Sequence, residues 1–306
     1  MPHDHGHDHL DHVGPNRHDA AFAIGVGLNA ALVVAQIGFG LLAGSLALIA
    51  DAGHNFGDVL GLALAWWAAT LSRRPPTARR TYGYGRSSIL ASLANAAILL
   101  VGVGAIALEA IRRLVAPGPV AGLTVMWVAL AAIAVNGFTA LLFMRGRERD
   151  LNIRGAFVHM AADAGVSSGV VVAAVLIHFT GWVRLDPLMG LVIAVVIAAS
   201  SWSLLRQSLH MAMDGVPEGL DRAAVEAWLH HLPGVATVHD LHIWSLSTTE
   251  TALTVHLVCP EALPDDRALG AAAAGLAERF GIGHATFQVE RGDPAHPCAL
   301  APADVI

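Results

Sequence analysis

Six stretches of mostly apolar residues follow one another through the first 210 positions, at roughly 20–42, 45–70, 87–112, 120–144, 155–180 and 187–210. Each is long enough to cross a bilayer, which takes about 20 residues as a helix. The first carries only Asn29 and Gln36 as strongly polar groups and no charge. A helix of a soluble domain keeps a polar face toward water, and six in series without one do not fit such a domain. Only 14% of the chain is charged, against about 25% in soluble domains. The fold class is therefore a polytopic α-helical membrane protein with six transmembrane helices.

The texture changes near residue 214. "DGVPEGLDRAAVEAWLHHLPG" mixes charge, Pro and Gly, and no later run is long enough to span. The expected organisation is a His-rich tail over 1–18, a six-helix membrane domain over 19–213, a polar domain over 214–292 and a C-terminal tail over 293–306. All 18 basic residues are Arg, and the formal net charge is −6, which argues against nucleic acid as a partner. Two cysteines, Cys259 and Cys298, do not make a disulfide framework. The first residues are His- and Asp-rich rather than basic and then apolar, so no cleaved signal peptide is expected.

Arginine placement orients the chain. The connection after the second span holds Arg73, Arg74, Arg79, Arg80 and Arg86, and the one after the fourth holds Arg145, Arg147, Arg149 and Arg154. The opposite side has only Arg112, Arg113 and Arg184. The positive-inside bias puts the Arg-rich linkers in the cytoplasm, and six spans then put both termini there, in a multi-pass protein of the cell's inner membrane.

Inside the second span, "LIADAGHNFGDVLGL" places Asp51, His54, Asn55 and Asp58 at i, i+3, i+4 and i+7, one face of a helix. The fifth span repeats the key element: His159 and Asp163 are four apart, with Ser167 one turn further. A single intramembrane His or Asp can be a helix–helix hydrogen bond or a proton relay. Two matched His-x-x-x-Asp pairs on different helices offer two imidazole nitrogens and two carboxylate oxygens, a tetrahedral set suited to Zn²⁺. A divalent ion offsets both carboxylates and makes their burial tolerable.

These motifs resemble the cation diffusion facilitator family, in its zinc-transporting branch. The matching pieces are "GSLALIADAGHNFGD", "RRTYGYGR", "HMAADAGVSSGVVVAA", "LDPLMGLVIA" and "VHDLHIWSL", in family order along almost the whole chain. The resemblance implies a homodimer in the lipid bilayer that exports a divalent metal ion in exchange for protons. It also implies His54, Asp58, His159 and Asp163 as the transport ligands, with Asp51 supporting them from the same helix face. Imidazole ligands favour Zn²⁺, Cd²⁺ and Co²⁺ over Mn²⁺. Some relatives carry a further metal site between spans 2 and 3, but "SRRPPTARRTYGYGR" has no His, Asp or Glu, so none is expected there. Arg86 resembles a family residue that pairs with an acid at the end of span 6, for which Asp214 is the candidate here; the competing reading is that it is simply one of the topology-setting arginines.

The polar domain reads as a helix over 218–231, strands over 235–244 and 251–259, a helix over 265–280 and a strand over 284–290, from alternation in "TALTVHLVC" and the Ala-rich "DDRALGAAAAGLAERF". This α-β-β-α-β order suggests a small α+β layer, and the resemblance implies a ferredoxin-like, metallochaperone-like domain that dimerises. His239, His242, His256, His284 and Glu290 fall on or beside the strands. By resemblance His239, His256, His284 and Glu290 hold a regulatory Zn²⁺, and Cys298, near His296, is a further candidate thiolate ligand.

The opening "MPHDHGHDHLDH" interleaves His3, His5, His7, His9 and His12 with Asp, a tract that binds metal loosely. It suits a low-affinity collector, or simply a solvated tail. The competing function is an intramembrane zinc-dependent hydrolase, which needs an open coordination position and a general base. The chain has no His-Glu-x-x-His, no Gly-x-Ser-x-Gly and no Glu near either His/Asp pair. A channel or a metal sensor is a third reading; nothing in the sequence resembles a selectivity filter, and sensing alone does not require buried ligands on two spans.

Overall fold

The computed structural model describes residues 17–144 and 151–302. Six long helices come first: α1 (Arg17–Ala43), α2 (Leu46–Ser72), α3 (Ser87–Val115), α4 (Gly122–Met144), α5 (Leu151–Thr180) and α6 (Leu185–Ala212). Among the described residues, five of them (all but α2) are long and apolar enough to cross a membrane. α2 matches α1 in length, at 27 residues; Asp51, His54, Asn55 and Asp58 interrupt its apolar run. The helices turn Val34, Leu42, Trp66, Val101, Trp127 and Phe179 outward, as expected where the surroundings are hydrocarbon and the aromatic residues near helix ends meet its boundary.

The chain divides into two compact units, Met1–Val59 with Gly102–Ile197, and Leu60–Val101 with Ala198–Ile306. The division crosses α2, α3 and α6 rather than falling at residue 213. In the first unit α4 packs on α5, and α1 on α4. The turn between α1 and α2 needs glycine: Gly44 has φ 67°, and a Cβ there would meet the Pro119 carbonyl at 2.7 Å. Ser45 then caps α2, its Oγ accepting from Leu48 N at 3.1 Å. Asp186, from the first turn of α6, accepts from Ser45 Oγ (2.5 Å), Leu46 N (2.6 Å) and Ala47 N (3.3 Å). Arg113 Nη1 donates to the Gly44 carbonyl at 2.6 Å. The backbone donors that the first turn of a helix leaves open are thus satisfied without water.

In the second unit, Arg86 Nη2 meets Asp214 Oδ1 at 2.5 Å. Both side chains are about half exposed, so the pair contributes less than about 1 kcal/mol; its value is in fixing the chain's direction after α6. Then come α7 (Arg222–His230), β1 (Thr237–Ser245), β2 (Thr251–Val258), α8 (Asp266–Phe280) and β3 (Ile282–Glu290), the α-β-β-α-β order expected. α7 begins at Arg222 rather than 218 because Pro217 and Gly219 precede its cap, Asp221, which accepts from Ala223 N. β3 begins at Ile282 because Gly281, at φ 69°, ends α8 and leads directly into the strand. The sheet order is β1-β2-β3, with β1 antiparallel and β3 parallel to β2. Val225, Leu229, Leu241, Ile243, Leu253, Val255, Leu257 and Leu276 fill the space between helices and sheet.

Candidate metal centres

α2 and α5 bring the four intramembrane residues together in cross-helix pairs. His54 Nε2 on α2 lies 3.1 Å from Asp163 Oδ1 on α5. His159 Nε2 on α5 lies 3.1 Å from Asp58 Oδ2 on α2, and 3.7 Å from Asp163 Oδ2. The two imidazole rings stand edge to face, 5.9 Å between centroids. Donor atoms of His54, Asp58 and Asp163 all fall within 4.8 Å of one another; His159 stands at the edge of this set, joined to it through the two carboxylates. Asp163 is 1% exposed, and its Oδ2 has no hydrogen-bond partner. A buried carboxylate oxygen without a donor, facing two imidazoles and a second carboxylate, fits a small divalent cation with nitrogen and oxygen ligands.

Asp51 lies outside that set. Its carboxylate accepts from Gln36 Nε2 of α1 and, at 3.2 Å, from Ser167 Oγ of α5. Asn55 Nδ2 bridges Gln36 Oε1 (3.2 Å) and the Asp51 carbonyl (3.1 Å). Gln36, Asp51 and Ser167 are all fully buried, so this network ties α1, α2 and α5 together one turn from the ligands. The sequence shows Gln36 as one of two strongly polar residues in an apolar span, with nothing to say what it faces.

The second centre lies on the open face of the sheet. His239 and His256 are direct partners across β1 and β2, with ring centroids 5.0 Å apart. His256 Nδ1 is 2.9 Å from Glu290 Oε1 and 3.5 Å from Cys298 Sγ, and His239 Nε2 is 3.5 Å from Glu290 Oε2. Donor atoms of all four lie within 4.8 Å of one another. His239 Nε2 has no hydrogen-bond partner, and two imidazoles, a carboxylate and a thiol are a donor set that fits Zn²⁺. Burial raises the Glu290 carboxyl, but hydrogen bonds from Cys298 and Gln288 and the two imidazoles more than reverse it, leaving the pKa below the usual value. A backbone hydrogen bond at Leu300 works to lower the Cys298 thiol, yet loss of water and the Glu290 and Asp240 carboxylates push it up; an ion there has to displace its proton. Cys259 is buried in the core, which raises its pKa and leaves it inert.

His284 is not part of this cluster. It pairs with Ala252, whereas His256 pairs with Gln288, four residues along the strand and so about 13 Å away. It rests edge-on against Tyr82, with centroids 5.5 Å apart. His242 and Asp240 do adjoin the cluster: Asp240 Oδ1 is 2.8 Å from His242 Nε2, and Oδ2 is 3.3 Å from His256 Nε2. Asp240 was not apparent as a site residue, because strand alternation from Val238 assigns it to the core face. The His-rich start, with His3, His5, His7, His9 and His12, lies outside the described residues.

Two family models match the chain: the cation efflux transmembrane domain over residues 22–211, and the cation efflux protein cytoplasmic domain over residues 217–292. The metal cation efflux system protein CzcD of Cupriavidus metallidurans is 36% identical over 300 residues, covering 97% of this chain and 92% of that protein. The zinc transporter ZitB of Escherichia coli is 34% identical over 298 residues, covering 97% and 94%. A cadmium, cobalt and zinc/H(+)-K(+) antiporter of Bacillus subtilis is 34% identical over 274 residues, covering 88% of each. Among solved structures, the metal-bound C-terminal domain of the CzcD transporter from Cuprividus metallidurans is 40% identical; it covers 23% of this chain and 99% of that domain, with a TM-score of 0.22.

Proposed function

The chain belongs to the cation efflux family and is a divalent metal cation exporter; we propose that it carries Zn²⁺ outward through His54, Asp58, His159 and Asp163 in exchange for protons. The observation that carries this reading is the crossed pairing of the site, where each imidazole of one helix faces a carboxylate of the other. Two neutral imidazoles, two carboxylates and one Zn²⁺ sum to zero charge. Two imidazolium ions and two carboxylates also sum to zero. Exchanging two protons for one ion therefore keeps the bundle interior neutral in both states, which is what burial demands. Imidazole binds either a proton or the metal, and that exclusion couples the two flows.

The same donor set accepts Cd²⁺ and Co²⁺, borderline ions with similar geometry, in keeping with the name of the Bacillus relative. Both termini lie in the cytoplasm of an inner-membrane protein, following the arginine bias, and two chains associate through the C-terminal domain. The His239, His256, Glu290 and Cys298 cluster holds a regulatory Zn²⁺ on that domain. The family is one of transporters by its relatives' names, and nothing in the site favours the hydrolase.

A gradient of one pH unit supplies about 1.4 kcal/mol per proton, so two-for-one exchange holds a zinc gradient of about 100-fold. Proteoliposomes with an acidic lumen should thus accumulate Zn²⁺, and a protonophore should abolish the accumulation. Zinc entry that is indifferent to the gradient would remove the antiport.

A further inference from the structure

The register between β1 and β2 slips between His239, opposite His256, and His242, opposite Thr254. Asp240 and Leu241 together stand against the single residue Val255, so β1 carries a β-bulge. Asp240 takes the left-handed conformation, with φ 49°, a region that Asp and Asn enter more readily than other side chains. In an unbulged strand, alternation from Val238 would point residue 240 at the core. The bulge gives that place to Leu241, which is buried in the core. It turns Asp240 to the face that carries His239 and His256.

The Asp240 carboxylate then lies between two imidazoles, His242 on one oxygen and His256 on the other. His256 is 8% exposed, so little water reaches its Nε2. We propose that Asp240 is the positioning residue of the cytoplasmic metal cluster: it accepts the Nε2–H of His256 and so directs the Nδ1 lone pair at the ion held with His239, Glu290 and Cys298. The proposal rests on the reading of those four residues as a metal site. A carboxylate behind a ligating imidazole fixes its tautomer and ring orientation and makes it a better donor. The strained backbone at residue 240 is the structural cost of placing that carboxylate.

The full-length protein titrated with Co²⁺ tests this, read by the thiolate-to-cobalt charge-transfer absorption that Cys298 alone can supply, Cys259 being sealed in the core. Asp240→Gly removes the carboxylate and relieves the left-handed backbone, so lost binding cannot come from added strain. Asp240→Asn tolerates the same backbone and keeps an oxygen acceptor for the Nε2–H. The band should be present in the wild type and absent in Cys298→Ser. Asp240→Gly should weaken cobalt binding about 10- to 100-fold, with Asp240→Asn recovering most of it. Wild-type affinity in Asp240→Gly, or equal loss in both variants, overturns the positioning role while the band and its loss in Cys298→Ser keep the cluster. A wild type without the band overturns the cluster and the proposal together.

Discussion

Asp163→Ala will reduce zinc flux in proteoliposomes to background, a loss greater than about 100-fold, beyond what removing a residue behind a ligand costs. Asp163 stands between both imidazoles, 3.1 Å from His54 and 3.7 Å from His159. Without it, one carboxylate faces a doubly charged ion, and a net positive charge is left inside the bundle. Asp163→Asn keeps the shape but not the charge, and should fail equally. Asp51→Asn should lose less, about tenfold, because Asp51 bonds to Gln36 and Ser167 and not to the ion. Flux in Asp163→Ala above a tenth of wild type, in protein that elutes as a folded species, would contradict the site.

The second large effect is on stability. Asp186→Ala should destabilise the protein by about 2–4 kcal/mol, because Ser45 Oγ–H, Leu46 N–H and Ala47 N–H lose their acceptor together. Ser45, Leu46 and Ala47 are buried, so water does not replace the lost bonds. The thermal midpoint in detergent should fall by roughly 5–10 °C. Asp186→Asn, which retains one acceptor oxygen, should fall about half as far. The consequence reaches the transport site, since Asp51, His54 and Asp58 lie on the second to fourth turns of the helix whose start Asp186 holds. An unchanged midpoint in Asp186→Ala would show that the cap contributes nothing to holding α2.

Much of this was legible in the sequence because the bilayer and the helix repeat are strong constraints. The length needed to cross hydrocarbon set α1 to α6 to within a few residues, and the four-residue spacing of His54 with Asp58 and His159 with Asp163 marked two candidate half-sites. Spacing speaks only within one helix, however. It gave no means of knowing that His54 faces Asp163 rather than Asp58, or that Gln36 of α1 reaches Asp51. Asp186 read as part of "LDPLMG" with no role, because its partners are a hydroxyl and two backbone donors about 140 positions away. In the C-terminal domain, alternation marked the strands that carry His239 and His256 but misses a bulge. The one available sign was that the apolar positions Val238, Leu241 and Ile243 break the two-residue period. His284 shows the converse error: it shares a strand with Glu290, yet the parallel register puts it well along the sheet.

X-ray absorption of bound zinc tests the central claim most directly, in a chain that lacks residues 1–16 and carries His239→Ala, His256→Ala and Cys298→Ser. With those other candidate ligands gone, one Zn²⁺ per protomer should remain. Its shell should hold two imidazole nitrogens and two carboxylate oxygens at about 2.0–2.2 Å. A chain that retains no zinc, or zinc whose shell contains a single imidazole or none, would contradict a transport site built from His54, Asp58, His159 and Asp163.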